Sequence, residues 1–521
     1  MRIWNIVYLG VFLTIGPGFG QPSTQQLSGG AAARFLEQAT WGPTPASIAA
    51  LQQTGIGNWL NAQFALNISD IPDQPLLDSS GQPNRNIHPV QAAFFQNTVT
   101  GQDQLRQRVA FVLSQIWVVS MSGNSIAYAY PPYWRIFRDN AFGNYRDLIR
   151  AVTLSPAMGR YLNMANNDKG NPAKNTSANE NYARELMQLF TLGLTQLNPD
   201  GTPVLDSNTN PVPTYDQTVV TNMAKLLTGW TYPTAPGATP KKNNPQYFFG
   251  PMFAVESEHD TSAKAIFNGI TIPAGQTAEQ DLNSLLDALM AQPTMAPFVS
   301  KQLIEHLVTS NPSPQYISRI SNIFQDDGTG VTGNLHAVIA AILTDPEARS
   351  ADLSTAVAAA NFGHMREPAL FVSNLLRGLN ATLTPTSTVY AESWELGEDV
   401  FDAPSVFSYF SPQYRIEGGL LGPEFQIYST QTAADRADIV NALLYGTIDK
   451  VTTVNLTPFV QQAGSTTSLL NTINSTFLHG SMSPALEQAA TDAVDGATTP
   501  LAKAQAALYV VLTSGEYQII H

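Results

Sequence analysis

The chain has 521 residues, 43% of them hydrophobic and none of them cysteine, so it can bury a substantial core without disulfides, thiolate catalysis or cysteine-ligated metals. Its formal charge is −14, yet only 13% of its residues are charged, so the surface must consist largely of uncharged polar side chains. This acidic balance argues against nucleic acid as a partner, because nucleic-acid binding requires basic patches.

The first twenty residues have the order of a secretory signal peptide. Arg2 precedes an apolar run from Ile3 to Ile15, and small or helix-breaking residues follow up to Gly20. The run is too short for a membrane-spanning helix, which needs roughly 20 apolar residues. An uncleaved anchor or a buried helix is the alternative. We predict cleavage near Gly20, a mature chain that starts close to Gln21 and has no transmembrane anchor, and an exported protein that is periplasmic or extracellular.

Helical periodicity dominates the rest of the chain and predicts a mostly α fold. Apolar residues recur at spacings of three and four in 105–116, 182–193, 299–307 and 504–511. Spacing of this kind places the apolar side chains on one face of each helix, which must then pack against a neighbour. We therefore predict a multi-helix globular array in one or two lobes.

Two regions depart from this pattern. Residues 197–215 contain turn chemistry on both sides of Val204-Leu205, and this predicts a small β-hairpin. Residues 232–275 are rich in Pro, Gly, Lys and Asn, and this predicts a long irregular excursion between helices.

The most distinctive stretch is NENYARELMQLFTLGL, residues 179–194. On an ideal helix Glu180 and Glu185 lie roughly 140° apart, so they cannot both face one small site without a distortion of the helix. One interpretation makes both carboxylates ligands or acid–base groups of a polar pocket. The structural alternative is a capping box of Ser177 with Glu180, an ion pair between Glu180 and Arg184, and a rim charge at Glu185.

Histidine is scarce, so each position is informative. His259-Asp260 with Lys264 nearby could supply metal ligands or a general base, whereas the structural alternative makes Asp260 the N-cap of a short helix that carries Lys264. His306 lies in an apolar helical stripe, where a core histidine with one hydrogen-bond partner is the ordinary outcome. Trp230 and neighbouring aromatic residues could stack on sugars, although loop aromatics more often pin a loop to the core.

No complete catalytic signature is present. The sequence lacks an HExxH zinc motif, a GxSxG nucleophile elbow, a phosphate-binding GxxxxGK[ST] loop and a GxGxxG dinucleotide loop. Whether the chain is an enzyme, and whether it needs a metal or another cofactor, are questions that this pattern leaves open.

The chain resembles the domain of unknown function 1800 family of large bacterial proteins. The segments that carry the resemblance follow the family's order: ARFLEQATWGPTPASI, QLRQRVAFVLSQIWVVS, NENYARELMQLFTLGL, LLTGWTY, EHDTSAKAIFNG, PFVSKQLIEHLV, REPALFVSNLLRGL, APSVFSYFSPQY and GPEFQIYS. Since they span nearly the whole mature chain, we expect a single helical domain over 21–521. A finer division would give an N-terminal lobe (28–231) and a C-terminal lobe (276–521).

The resemblance implies a helical, exported protein but brings no established activity. Members often lie beside genes for a second uncharacterised family, number 1501, which looks alkaline-phosphatase-like, so the implied partner is an exported phosphatase-like protein. From the polar positions of the family pattern and the residues above, the candidate catalytic residues are Glu180, Arg184, Glu185, His259 and Asp260. The candidate binding residues are Trp230, Lys264, His306 and Arg366.

Two functions from different classes remain open. The first is a binding or assembly protein that acts outside the cytoplasm with another exported protein, and it predicts closed, buried ion pairs at Glu180, Arg184 and Glu185 with no cavity beside them. The second is a hydrolase or lyase of an extracellular polymer such as polysaccharide, with Glu, Asp and His side chains and a divalent metal as an option. It predicts a cleft where the helix of Glu180 meets the segments of His259 and His306.

Overall fold

The computed structural model describes residues 27–66, 69–352, 361–446 and 448–521. The predicted signal peptide, residues 1–20, lies outside these ranges, so its cleavage stays a prediction. The described ranges contain 21 α-helices and only two-stranded sheets, which confirms the mostly α fold with small hairpins.

Ten of these helices precede residue 230. They are α1 (Gly29–Ala39), α2 (Pro45–Thr54), α3 (Ile56–Ala65), α4 (His88–Thr100), α5 (Gln104–Ile116), α6 (Tyr130–Asn140), α7 (Tyr145–Thr153), α8 (Pro156–Tyr161), α9 (Asn181–Glu185) and α10 (Gln217–Leu226). A π-helical segment, Leu186–Thr191, continues directly from α9.

The other helices follow the irregular region. They are α11 (Ala278–Met290), α12 (Met295–Leu307), α13 (Pro314–Gln325), α14 (Leu335–Thr344), α15 (Pro368–Gly378), α16 (Tyr390–Glu395), α17 (Thr430–Tyr445), α18 (Thr457–Val460), α19 (Thr466–Phe477), α20 (Pro484–Asp495) and α21 (Pro500–Leu512). A short 3₁₀ turn, Pro423–Ile427, precedes α17.

The strands are two residues long and pair locally or close the chain. β1 (Trp230–Thr231) pairs with β2 (Phe253–Ala254), β3 (Lys264–Ala265) with β4 (Thr271–Ile272), and β5 (His364–Met365) with β6 (Ile519–Ile520), all antiparallel. The β5–β6 pair places the last residues of the chain beside the segment that precedes α15.

The predicted apolar stripes form the core. Leu105, Val109 and Val112 of α5 are fully buried, and one contiguous cluster of buried side chains runs from Ala32 of α1 to Ile520 of β6. Each fully buried Leu, Ile or Phe stabilises the fold by about 1.5–3 kcal/mol relative to an exposed one. The packing of α5 is unusual because even Arg108, on its polar side, is completely buried.

The predicted hairpin at 197–215 forms as extended segments with two turns. Isolated antiparallel bridges join Leu197 to Pro203 and Leu205 to Pro211. The backbone N–H of Val204 donates to Gln196, that of Val212 donates to Val204, and that of Gln196 donates to Val212. Three short extended segments are therefore hydrogen-bonded to one another.

Residues 232–275 form the predicted excursion, and short elements interrupt it. β2, β3 and β4 lie within it, and Phe248 and Met252 are buried against the helices. Across the described ranges, no helix combines the length and the apolar character that crossing a membrane requires.

Candidate functional site

A cavity of about 70 Å³ lies between α5, α12 and residues 406–424. Both polar and apolar side chains line it. The polar lining consists of Gln115, Gln302, Glu305, His306, Ser408 and Glu424, and the apolar lining includes Leu189, Val406, Phe407, Phe410, Pro412 and Pro423. An apolar pocket with a few convergent polar groups is the usual form of a small-ligand site.

The helical repeat explains how α12 supplies three of these side chains. Gln302, Glu305 and His306 follow one another at spacings of three and one, so they share one face of the helix. Leu303 and Leu307 lie on the buried face and fix the helix against the core. The sequence therefore turns a polar face toward the cavity because the apolar face of the same helix is committed to the interior.

Glu424 is the most deeply placed acid of the cavity. Its side chain is only 7% exposed, and its Oε1 lies 3.2 Å from Nδ1 of His364. The other carboxylate oxygen, Oε2, has no hydrogen-bond partner among the described residues. A buried carboxylate oxygen without a partner is costly, so this atom marks a position where a donor from a ligand or a water would be stabilised.

Glu305 is the second acid of the cavity. Lys301, one helical turn away, lies 2.5 Å from its Oε1. Burial raises the pKa of Glu305, the charge of Lys301 opposes this, and the negative charge of Glu424 raises the pKa further. Two more lining atoms, Gln302 Nε2 and Gln115 Oε1, also lack partners in the described structure.

A buried group of charges supports the cavity from behind. Gln115 Nε2 lies 2.6 Å from Glu367 Oε2 and 3.3 Å from Glu398 Oε1. Burial raises the pKa of Glu398 well above its usual range, and the charge of Glu367 adds to that effect. Arg108 lies 3.6 Å from Glu367 and offsets part of its charge. These contacts hold the Gln115 side chain in the cavity wall.

His306 combines a lining position with a structural contact. Its backbone oxygen accepts a hydrogen bond of 2.7 Å from Arg108 Nη2. Burial lowers the pKa of its imidazole to about 3, and the nearby charges of Arg108 and His364 act in the same direction. At neutral pH the ring is therefore uncharged, and it can present one donor and one acceptor to the cavity.

The structure separates Glu180 from Glu185. Glu180 pairs with Arg184 at 3.1 Å and accepts hydrogen bonds from Gln217 and Thr221 of α10, all at a partly exposed surface. The predicted capping box of Ser177 with Glu180 is wrong. The helix begins at Asn181, and Asn179 Oδ1 accepts the hydrogen bond from the backbone N–H of Asn181.

Glu185 lies on another side of the segment and is half-buried. Its Oε2 has no partner among the described residues. Burial raises its pKa, against the opposing charge of Arg184. The charge of Glu185 in turn contributes to raised pKa values for the partly buried phenols of Tyr161 and Tyr215. The closed ion pair predicted for Glu185 is therefore not formed.

His259 and Lys264 come together on an acid that the sequence did not point to. His259 Nε2 lies 2.9 Å and Lys264 Nζ 2.6 Å from Asp281 Oδ2 of α11, and all three side chains are completely buried. Asp260 accepts hydrogen bonds from Ser262 in a tight turn. The short helix predicted to carry Lys264 is wrong, because Lys264 lies in β3.

The two remaining predicted binding residues lie in the interior. Trp230 in β1 is 3% exposed and does not line the cavity. Arg366 is 1% exposed, and its Nη2 lies 2.8 Å from Glu37 Oε1. A ligand-binding role for either residue stays a prediction.

Of the predicted site residues, only His306 lines the cavity. The acids that accompany it, Glu305 and Glu424, were not predicted, although both lie in segments that carry the family resemblance. The signal that could have found Glu305 is its position next to His306 on a polar helix face. Glu424 gives no such signal, since it lies in a 3₁₀ turn far away along the chain.

The described ranges contain no preformed metal site. No three His, Asp or Glu side chains there are placed to hold one ion. In the cavity, Glu305 is engaged by Lys301 and Glu424 by His364. The arrangement offers carboxylate and amide oxygens as hydrogen-bond acceptors.

Comparison with known proteins identifies the family. Residues 34–519 match the family described as Protein of unknown function (DUF1800). Searches of curated proteins and of solved structures returned no match. The matched range includes every residue that lines the cavity, and also Arg108, Glu367 and Glu398 behind it. The chain therefore belongs to the DUF1800 family.

Proposed function

We propose that this chain is a binding protein that acts outside the cytoplasm together with another exported protein, and that the cavity beside Glu305 and Glu424 is its ligand site. The observation that carries the proposal is the unpartnered Oε2 of Glu424, a buried acceptor on a side chain that lines the cavity. The ligand group that best complements this acceptor is a cation with N–H donors, because charge-assisted hydrogen bonds are the strong ones.

Two further features support a cationic group. Lys301 already places an ammonium against Glu305, so the carboxylate accepts this chemistry. The chain as a whole carries a formal charge of −14, and its field favours the approach of cations. The volume of the cavity corresponds to about five water molecules, which suits a small group rather than a polymer segment.

The proposal is tested by calorimetric titration of the purified chain with methylammonium chloride at constant ionic strength. We expect weak binding to the wild-type protein and no binding of tetramethylammonium, which has no N–H donor. Glu424→Gln should weaken methylammonium binding about tenfold or more, because it removes a charge-assisted hydrogen bond. Glu417→Gln, an exposed acid of the same segment, should leave binding unchanged.

The folding of each variant is measured separately from its binding. Circular dichroism and the melting temperature of each variant establish that the helices are intact. The proposal fails if the wild-type protein gives no heat with methylammonium, or if folded Glu424→Gln binds it as tightly as the wild type does.

The second candidate is hydrolysis, and one observation favours it. Glu305 has a raised pKa and lines the same cavity as Glu424, and a pair of carboxyl groups is the usual equipment of glycoside cleavage. In that case Glu305 would donate a proton to the leaving oxygen. Assays with 4-nitrophenyl glycosides test this, and release of nitrophenol that disappears in both Glu305→Gln and Glu424→Gln would favour hydrolysis over simple binding.

A further inference from the structure

A second, smaller cavity adjoins the ligand site proposed above. It has a volume of about 30 Å³ and lies between α5, α6 and residues 400–409. Apolar and aromatic side chains dominate its lining, among them Phe111, Val118, Trp134, Phe137, Val400 and Phe401. We call it the aromatic cavity, and we call the cavity lined by Glu305 and Glu424 the acidic cavity.

The two cavities share part of their wall. Gln115 and Ser408 line both of them. Gln115 is 95% buried, and its Oε1 has no hydrogen-bond partner among the described residues. Ser408 has a left-handed backbone with a φ of 67°, and Phe401, on the same segment, has a φ of 74°. Non-glycine residues held in this conformation cluster at ligand sites, where the surrounding packing maintains the strain.

Three hydroxyl groups in the lining of the second cavity already have hydrogen-bond partners. The hydroxyl of Tyr133 donates to the backbone oxygen of Trp117 at 2.7 Å, and that of Ser114 donates to Phe111 at 2.7 Å. The hydroxyl of Tyr409 accepts a hydrogen bond from the backbone N–H of Phe401. The side chains of Phe111, Trp134 and Phe137 offer ring surface to an occupant.

Gln115 Oε1 and the indole Nε1 of Trp134 are the atoms of this lining that lack a partner among the described residues. The indole Nε1 atoms of Trp41 and Trp117, which line neither cavity, lack one as well. The unpartnered indole therefore does not single out this cavity as a site for a polar group.

We infer that the two cavities form one site for a primary alkylammonium, with the ammonium beside Glu424 and Glu305 and the alkyl chain passing Gln115 and Ser408 into the aromatic cavity. This inference rests on the proposed function, since it assigns a tail to the same cation. It adds the class of ligand, which is an unbranched amine with one polar end.

The volumes set the length of the chain. The acidic cavity holds the equivalent of about five waters and the aromatic cavity about two. A methylene group is close to a water in size, so the ammonium and the first few carbons fill the acidic cavity and about two more methylenes fill the aromatic one. The amine that fits best should have an unbranched chain of about six carbons.

The test is a calorimetric titration with the hydrochlorides of methylamine, butylamine, pentylamine, hexylamine, heptylamine and octylamine at one ionic strength. Each methylene that enters the aromatic cavity should tighten binding about fourfold, and the gain should stop once the cavity is full. Butanol, which has the tail without the charge, should bind much more weakly than butylamine.

Ala403→Leu provides the matched variant, since Ala403 lines the aromatic cavity and not the acidic one. In the variant, methylammonium should bind as in the wild type while the gain with chain length is lost. The series on the wild-type protein decides the question even if the variant does not fold.

The outcomes separate the two proposals. Binding of methylammonium with no gain along the series overturns the alkylammonium site and leaves the proposed function standing. Equal binding of butanol and butylamine overturns the role of the ammonium. Absence of binding by every amine overturns both.

Discussion

Glu180 and Glu185 lie five residues apart, yet the fold gives their carboxyl groups opposite electrostatic environments. Burial acts to raise the pKa of Glu180, but hydrogen bonds from Gln217 and Thr221 and the charge of Arg184 lower it overall. Glu185 is half-buried with an unpartnered oxygen, and burial raises its pKa. The first carboxylate therefore stabilises the folded chain when charged, and the second destabilises it.

This difference predicts opposite effects of two matched substitutions. For Glu185 the folded pKa lies above the unfolded value, so the charged form costs stability once the pH rises above the usual range of a glutamate. Glu185→Gln should raise the melting temperature at pH 7, and the difference should shrink at pH 4. Glu180→Gln should lower the melting temperature slightly at pH 7. A lower melting temperature for Glu185→Gln would contradict this assignment.

A second residue-scale prediction concerns the buried pair of Arg366 and Glu37. Burial acts to raise the pKa of Glu37, but the charge of Arg366 and a hydrogen bond from His479 lower it to about 2. Arg366→Met leaves this carboxylate buried without its cation, so we expect a loss of about 3–5 kcal/mol in the free energy of unfolding. Urea denaturation followed by circular dichroism measures it.

Two controls define the origin of that loss. Arg146→Met breaks an exposed pair with Asp287 and should cost at most about 1 kcal/mol. Adding Glu37→Gln to Arg366→Met should recover part of the loss. Because the folded pKa of Glu37 is depressed, its contribution is present above about pH 4.5 and disappears as the pH falls toward 2. Equal costs for the two arginine substitutions would exclude this explanation.

At the scale of elements, the π-helical segment after α9 shapes the cavity wall. Thr191 Oγ1 donates to the backbone oxygen of Leu186, and the backbone N–H of Leu192 donates to Met187, both five residues back. A wider turn changes the direction in which the side chains after Glu185 point, and Leu189 of this segment lines the cavity. π-helical turns occur often at functional sites.

Gly193 follows this segment, and a substitution at Gly193 tests the local geometry. Its φ is 71°, and an added Cβ would lie 2.7 Å from the ring of Phe298. We expect Gly193→Ala to destabilise the chain by about 1–3 kcal/mol, since both the backbone conformation and the contact become strained. Gly57→Ala in α3, where no atom lies near the added Cβ, should be neutral or stabilising by up to about 1 kcal/mol. Urea denaturation of both variants checks this, and equal stability would refute the strain.

Sequence periodicity predicted the elements better than their ends. The stripes at 105–116, 299–307 and 504–511 became α5, α12 and α21, because apolar spacing records which face is buried. The π-helical segment was not predicted, since its hydrogen bonds depend on tertiary packing and the apolar spacing fits an α-helix. The capping box at Ser177 was wrong because the residue before the helix, Glu180, makes no side-chain capping hydrogen bond, and the backbone N–H of Asn181 donates to Asn179.

At the scale of the whole molecule, the candidate site depends on contacts that spacing along the chain does not encode. Gln115, Glu305 and Glu424 come from α5, α12 and a 3₁₀ turn, which are far apart in sequence. The sequence singled out His306 but not its acidic neighbours, because only the packing of α5 against α12 and residues 406–424 brings them together. The buried carboxyl group of Glu398 behind the cavity was not predicted either.

Export is also a property of the whole molecule and is predicted from the first twenty residues. If the chain is processed as a secreted protein, intact-mass spectrometry of material from its native host should give an N-terminus close to Gln21, outside the cytoplasmic fraction. Full-length chain in the cytoplasm would argue against export. The exported partner implied by the family resemblance stays a prediction.

The most direct measurement is a crystal structure of the chain grown with n-hexylammonium chloride. We expect elongated density that begins within hydrogen-bond distance of Glu424 Oε2 and continues past Gln115 into the aromatic cavity. Density for the amine elsewhere on the protein, with only water beside Glu424, would contradict it.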